Sequence, residues 1–178
     1  NEMGAQIHGM GTSRITIHGV KRLRSVSYKI MSDRIVAGTY LAAGAATGGN
    51  VAVCDVCERD MRSTLNTLAS MGCGIVVKKG QIRVIAPQIL LPLESIHTQP
   101  FPGFPTDMQS QIMVCLTAAR GESVIYEDIF EERFKIVPQI RKMGADVLIN
   151  NNKAVIKGGR ALHGTTVEAL DLRGGAAL

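Results

Sequence analysis

Apolar and polar positions along this chain fall into a pattern that recurs. Leu65, Leu68 and Ala69 lead into Met71-Gly72-Cys73-Gly74-Ile75, and Ile136, Val137 and Ile140 lead into Met143-Gly144-Ala145-Asp146-Val147. Met3-Gly4-Ala5-Gln6-Ile7 is a third copy of the same ending. Apolar residues three and four apart predict an amphipathic helix, and the glycine after them supplies its left-handed stop. Beyond each glycine the period changes to two, which predicts a hairpin. Ile75 to Val77 turns at Lys78-Lys79-Gly80 into Ile82 to Ile85, and Val147 to Ile149 turns at Asn150-Asn151-Asn152 into Ala154 to Ile156. Ile7 and Ile17 flank a similar turn near Gly9 to Ser13.

A second mark also recurs. Ser32-Asp33-Arg34 opens the apolar run Ile35 to Ala46, Pro105-Thr106-Asp107 opens Met108 to Ala119, and Leu170-Asp171-Leu172-Arg173 opens Gly174 to Leu178. These runs are apolar around most of a helix circumference, which predicts buried helices. The last has a second reading, a short surface helix. Val51 to Val53 and Val124 to Tyr126 supply a strand between the helices, and the alternation Val20, Leu23, Val26, Tyr28, Ile30 adds a strand ahead of Asp33. The unit is therefore βαβαββ, a repeated α/β (α+β) architecture. One unit ends within about 1–30, two are whole at about 23–86 and 93–157, and another starts at 162–178. A chain that opens mid-unit and stops inside a core helix is expected to be a segment of a larger protein. Its uncovered apolar helix surface then leads to expected self-association.

Composition narrows the class. With 46% apolar and 20% charged residues among 178, a globular domain is expected. No apolar run has transmembrane length and no signal segment opens the sequence, so the expectation is a cytoplasmic protein without a membrane partner. The net charge of +5 suits nucleic acid or a phosphorylated small substrate equally. Lys21-Arg22-Leu23-Arg24 is the densest basic run and reads as a solvated strand face. Only 4 Phe and 3 Tyr are available for stacking on bases, which argues against a nucleic-acid partner. Cys54-Asp55-Val56-Cys57 has the spacing of a metal or redox pair, but no second pair or spaced histidines accompany it, so no metal is expected. Cys115 lies in an apolar helix and reads as packing.

The stretch Phe104-Pro105-Thr106-Asp107-Met108-Gln109 concentrates the candidate chemistry. Thr106 and Gln109 stand at capping-box spacing, which predicts Thr106 as the cap and Asp107 in the first turn. A carboxylate there gains about 0.3–1 kcal/mol from the helix dipole. Asp33 and Asp171 hold the corresponding places in the other repeats, so helix N-termini are expected to gather at one end as an anion site. Arg34, Arg133 and Arg173 lie near these starts and suit bidentate contacts to phosphate or carboxylate.

Several of these stretches resemble bacterial UDP-N-acetylglucosamine 1-carboxyvinyltransferases. They are Phe104 to Gln111, Glu127-Asp128-Ile129-Phe130-Glu131-Glu132-Arg133-Phe134, Met143-Gly144-Ala145, Leu162 with Gly164, Ala169 to Arg173, and Asp33-Arg34-Ile35 with Gly38-Thr39-Tyr40. The resemblance implies an inside-out α/β barrel of the enolpyruvyl transferase type, incomplete here, with residues 1–22 as the last hairpin of a first domain and 23–178 as part of a second. It implies enolpyruvyl transfer from phosphoenolpyruvate to the 3′-hydroxyl of UDP-N-acetylglucosamine, without a cofactor, in peptidoglycan synthesis. Asp107 then matches the general base at the sugar hydroxyl. Ile129 matches a substrate-contacting backbone position, Arg133, Asp171 and Arg173 match charged cleft positions, and Asp33 and Arg34 match the start of the second domain. The family's phosphoenolpyruvate-reactive loop cysteine, its lysine-asparagine pair and a further arginine have no counterpart in this text, so the chain alone is expected to be inactive. Two other readings stay open: a non-catalytic binding domain of the same fold, and a cyclase-like protein acting on nucleic acid.

Overall fold

A computed structural model describes all residues, 1–178. The backbone divides into two compact units, Asn1–Met31 and Ser32–Leu178. In the first, β1 (Gln6–His8) pairs antiparallel with β2 (Thr16–His18), Ile7 facing Ile17. The alternating segment 20–30, expected as a strand, carries neither strand nor helix, and Leu23, Tyr28 and Ile30 are exposed. Alternation marks a strand only where a neighbouring ladder accepts its backbone groups, and no ladder forms along this stretch.

The second unit holds two repeats and the start of another. The first repeat runs α1 (Arg34–Ala46), β3 (Asn50–Cys54), α2 (Glu58–Ser70), β4 (Gly74–Lys78) and β5 (Gln81–Ile85). The second runs β6 (Ile96–His97), a 3-10 turn (Thr106–Met108), α3 (Gln109–Ala118), β7 (Glu122–Tyr126), a second 3-10 turn (Arg133–Ile136), α4 (Val137–Lys142), β8 (Asp146–Asn150) and β9 (Lys153–Lys157). Their sheets have the orders β3-β5-β4 and β6-β7-β9-β8, in which only β6 runs parallel to its neighbour. α5 (Leu172–Ala177) opens the next repeat.

The repetition extends to single hydrogen bonds. Gly4, Gly72 and Gly144 each donate their N–H to the carbonyl three residues back and have φ of 93°, 90° and 99°. That left-handed backbone is what the recurrent Met-Gly text encodes, because glycine has no Cβ to clash there. The preceding carbonyls of Met3, Met71 and Met143 accept from Arg24, Leu91 and His163, so each copy also anchors the chain some twenty residues on. Gly80 and Asn151 have positive φ in the two hairpin turns, as the text suggested.

The helices divide as their composition dictates. α2 has an apolar stripe of Met61, Leu65 and Leu68, while α3 is buried nearly all round, with Ile112, Met113 and Leu116 wholly inside. Each fully buried apolar side chain of this size stabilises the fold by about 1.5–3 kcal/mol. α3 packs on α1, on the two sheet strands β7 and β9, and on α5. Cys115 Sγ donates to the carbonyl of Ala42 at 3.2 Å, tying α3 to α1. Burial pushes the Cys115 thiol up to about 12, consistent with its reading as packing. α5 corrects the expectation of another core helix: it packs on α3 and α1, yet only Gly174 is buried and Leu172 is 77% exposed. Its glycines and alanines offer too little side chain to cover more. No helix is long and apolar enough to cross a membrane.

Candidate functional site

The three repeat-related aspartates stand in two different situations. Asp33 caps α1, its Oδ1 accepting from the N–H groups of Ile35 (2.8 Å) and Val36 (3.1 Å). Asp171 caps α5 in the same way, accepting from Arg173 (2.9 Å) and Gly174 (2.7 Å). Asp107 caps nothing. It sits inside the 3-10 turn that precedes α3, and its carboxylate receives Arg133 Nη2 at 2.5 Å on Oδ1 and Arg173 Nη2 at 3.4 Å on Oδ2.

The expected capping box is therefore absent. Neither the 3-10 turn nor α3 has a side-chain cap. The Thr106 hydroxyl donates instead to Glu127 Oε2 at 2.9 Å, and Gln109 is wholly buried, where it accepts from the Ser110 hydroxyl at 3.2 Å. A tight turn replaces the usual helix start, so the first-turn aspartate is freed to point at arginines from two other elements.

The anion site expected from gathered helix starts is also reshaped. α1 and α5 do approach α3, but their first N–H groups are satisfied by their own Asp33 and Asp171. Arg34 lies over the Phe101 ring, 5.7 Å from its centroid, and is not part of the Asp107 cluster. What remains is a mixed-charge cleft of about 630 Å³ lined by Asp107, Phe130, Arg133, Lys135, Asp171 and Arg173, with Glu131 and Glu132. The side chains of Arg133 and Arg173 are 21% and 25% exposed and that of Asp107 38%, so all three are reachable from solvent yet partly screened from it. Arg133 Nε is buried and donates to no acceptor in the chain, and its guanidinium lies 5.5 Å from the Phe130 ring centroid.

A carboxylate offers about four lone-pair sites. The two arginines occupy one on each oxygen of Asp107, leaving acceptor capacity for an incoming hydroxyl. Arg173 is the more distant of the two. The guanidinium groups in turn suit a phosphate or carboxylate. Asp33 differs in kind. Its carboxyl is held below its usual value by the Val36 N–H, aided by the Ile35 N–H, Arg173 and Arg34, against the opposing effect of burial.

A second cavity, about 840 Å³, adjoins the first through Phe130, Glu131, Glu132 and Lys135. It is lined by Ile129, Phe134 and Ile149 with Asn151 and Asn152 of the β8–β9 turn. Ile129 is thus brought to the site, 38% exposed, its N–H donating to Glu127 Oε1. Glu127 heads one of the resembling stretches but is given no role by the sequence, and Thr98 is not singled out at all. A glutamate directly after a strand gives no sign that it is buried, and Thr98 is distant in the text.

Known proteins resemble this chain along its whole length. The family model for EPSP synthase (3-phosphoshikimate 1-carboxyvinyltransferase) matches residues 1–178. The chain is 45% identical over 178 residues to UDP-N-acetylglucosamine 1-carboxyvinyltransferase 1 of Caldanaerobacter subterraneus subsp. tengcongensis, spanning 100% of this chain and 43% of that protein. It is 46% identical over 178 residues to the UDP-N-acetylglucosamine 1-carboxyvinyltransferase of Myxococcus xanthus, covering 100% of this chain and 42% of that one. The chain thus spans less than half the length of these curated relatives. Among solved structures, the enolpyruvyl transferase NikO from Streptomyces tendae superposes with a TM-score of 0.84 at 20% identity, covering 99% of this chain and 42% of that one. EPSP synthase from Acinetobacter baumannii gives 0.56 at 22% identity, covering 92% and 38%. These two likenesses establish the enolpyruvyl transferase fold.

Proposed function

The chain belongs to the EPSP synthase family, and from that membership we propose that it forms one wall of the active site of a transferase that moves enolpyruvyl from phosphoenolpyruvate to the 3′-hydroxyl of UDP-N-acetylglucosamine. The observation that carries the reading is Asp107, released from helix capping and presented between Arg133 and Arg173 at the cleft. The names of the curated relatives, at 45–46% identity, favour the UDP-sugar as acceptor.

In this reading Asp107 takes the proton of the 3′-hydroxyl as its oxygen bonds to C2 of phosphoenolpyruvate. C3 gains a proton in the same addition from an acid that this wall does not supply. Loss of a C3 proton and of inorganic phosphate then restores the double bond in the product. General-base assistance of this kind is worth about 10²–10⁴-fold. Arg133 and Arg173 hold Asp107 in place before substrate arrives, and Arg173 swings to the ligand's negative charge. Asp171 fixes the start of α5, and with it the backbone that carries Arg173. The backbone of Ile129 borders the sugar, while Asp33 and Arg34 set the entry of the chain into this wall. Residues 1–22 belong to a neighbouring domain and 23–178 to the wall itself. No metal or cofactor enters the scheme. The setting is the cytoplasm, at the first committed step of peptidoglycan synthesis, hence cell wall biogenesis, cell shape and division.

The test replaces the matching segment of the Caldanaerobacter relative with this chain and follows phosphate release from phosphoenolpyruvate. Release that depends on UDP-N-acetylglucosamine and falls by about 100-fold or more in Asp107→Ala is expected. Near-normal turnover in that variant would sink the assignment. Release with 3-phosphoshikimate instead would move the acceptor to the other branch of the family.

A further inference from the structure

Glu127 is the least conspicuous acid near the cleft and the most heavily bonded. It follows β7 directly and is only 3% exposed. Its Oε1 accepts from the Thr98 hydroxyl (2.9 Å) and from the N–H groups of Ile129 and Phe130 (both 3.1 Å). Its Oε2 accepts from the Thr106 hydroxyl (2.9 Å). Thr98 is itself wholly buried, and its Oγ1 accepts the N–H of Asp128 at 2.8 Å.

Burying a carboxylate is costly unless its lone pairs are met. Four donors meet them here, and a fully satisfied buried network is rigid. A purely structural carboxylate could draw its donors from anywhere nearby. Three of the four come from the two segments that shape the cleft, and the fourth, Thr98, follows β6. Thr106 is covalently next to Asp107, and Ile129 and Phe130 line the cavities beside it. In the first repeat the residue that follows β3 is Asp55, which is exposed where Glu127 is buried.

We infer that Glu127 is a positioning residue of this site, holding the Asp107 turn and the 128–130 loop in register so that the acceptor hydroxyl meets the base while the loop bears on the rest of the ligand. This rests on the transferase reading above. In this role Glu127, which also lines the larger cavity, moves no proton; it acts through Thr106 on one side and through the Ile129 and Phe130 amides on the other. A displacement of about 1 Å in such a turn costs roughly 100-fold in rate.

Three variants in the chimeric enzyme separate this role from general folding. Glu127→Ala removes the whole cage and is expected to lower kcat by about 100-fold. Glu127→Gln keeps an Oε1 for Thr98 and the two amides, and the Thr106 hydroxyl can rotate to accept from the new amide. Its kcat is expected within about 5-fold of the parent, since the geometry survives. Thr106→Val cuts only the arm to Asp107, so kcat falls about 10-fold while KM for the UDP-sugar holds. Parent-like kcat and KM in both Glu127→Ala and Thr106→Val would overturn the proposal. So would a Glu127→Ala loss that merely tracks a lower melting temperature, with Thr106→Val unaffected.

A separate readout uses the 178-residue chain and needs no turnover. In Glu127→Ala the amide protons of Ile129 and Phe130 should lose hydrogen-exchange protection, and in Glu127→Gln they should keep it. Unchanged protection in Glu127→Ala refutes the cage whatever the enzyme does. If the parent chimera releases no phosphate while the exchange result holds, the transferase reading fails, and what stands is that Glu127 holds the 128–130 loop, not that it positions a base.

Discussion

The two repeats of the larger unit are built on one plan, although only the second has an opening strand, and they differ where the candidate site is. Both place a hairpin after a Met-Gly stop, and in both the residue after the hairpin donates back to a glycine carbonyl beyond the core helix: Ala86 to Gly49, and Gly158 to Gly121. The connections between strand and second helix differ. In the first repeat residues 55–57 link β3 to α2 directly. In the second, residues 127–132 and a 3-10 turn intervene between β7 and α4, and this longer path carries Glu127, Ile129, Phe130 and Arg133. The core helix also starts differently, capped by Asp33 in one repeat and preceded by an uncapped turn holding Asp107 in the other. Repetition supplies the scaffold, and departures from it build the candidate site.

The sharpest way to break this contrast is to remove the two aspartates in turn. Asp107→Ala should cost turnover at least about 100-fold, yet leave thermal stability nearly unchanged, because no cap is lost. Asp33→Ala should behave as a cap deletion and lower unfolding free energy by about 1 kcal/mol in urea titrations. If Asp107→Ala leaves turnover intact and only destabilises, as Asp33→Ala does, the contrast between the two aspartates fails.

Next in size is the glycine that only the second repeat requires. A Cβ on Gly158 would overlap the carbonyl oxygens of Ala119 and Leu116 at the end of α3. Gly158→Ala should therefore destabilise by about 2–3 kcal/mol, as overpacking against backbone does. Ala86→Gly, at the matching place in the first repeat, should cost about 1 kcal/mol or less, through chain entropy alone. Thermal melts of both variants test the asymmetry.

The pH dependence of the Asp33 cap is smaller. Its carboxyl titrates lower in the folded chain than the ordinary value of 3.8, held down first by the Val36 N–H. A lowered folded value means that the cap contributes fully above the unfolded pKa and is lost as pH falls through the folded one. Asp33→Asn, which caps without charge, should flatten the stability profile below about pH 4, lie below the parent at pH 7 where the charge contributes fully, and converge with it in acid.

The thiols give the smallest perturbation. Cys54 and Cys57 are exposed while Cys73 and Cys115 are buried, and burial raises both buried thiols. A thiol reagent at pH 8 should modify Cys54 and Cys57 quickly and Cys115 only on unfolding. Fast labelling of Cys115 would show that the α1–α3 contact is open.

Much of this architecture was legible in the text. The period of the apolar residues and the Met-Gly stops gave both hairpins, the strands between the helices, and the contrast between α2 and α3. Such features depend on local spacing and on one residue's backbone freedom, and both are written in order along the chain. The segment 20–30 misled because alternation is only half of a strand; the other half is a partner ladder. Thr106 misled because a capping box competes with whatever else its hydroxyl can reach. Glu127, buried and adjacent in space though 21 residues away, took it. Proximity of that kind has no trace in residue spacing.

The chain's own order thus determined that there would be repeats, where each helix ends, and that an aspartate would stand at each core-helix start. Only the tertiary structure decided which aspartate is free. Arg133 and Arg173 come from other elements, and their approach to Asp107 depends on α3 and α5 packing side by side and on the 3-10 turn that follows the Glu127 loop. Long-range electrostatic partners are chosen by packing, and packing is fixed by how side chains fill space, a property of the folded chain as a whole.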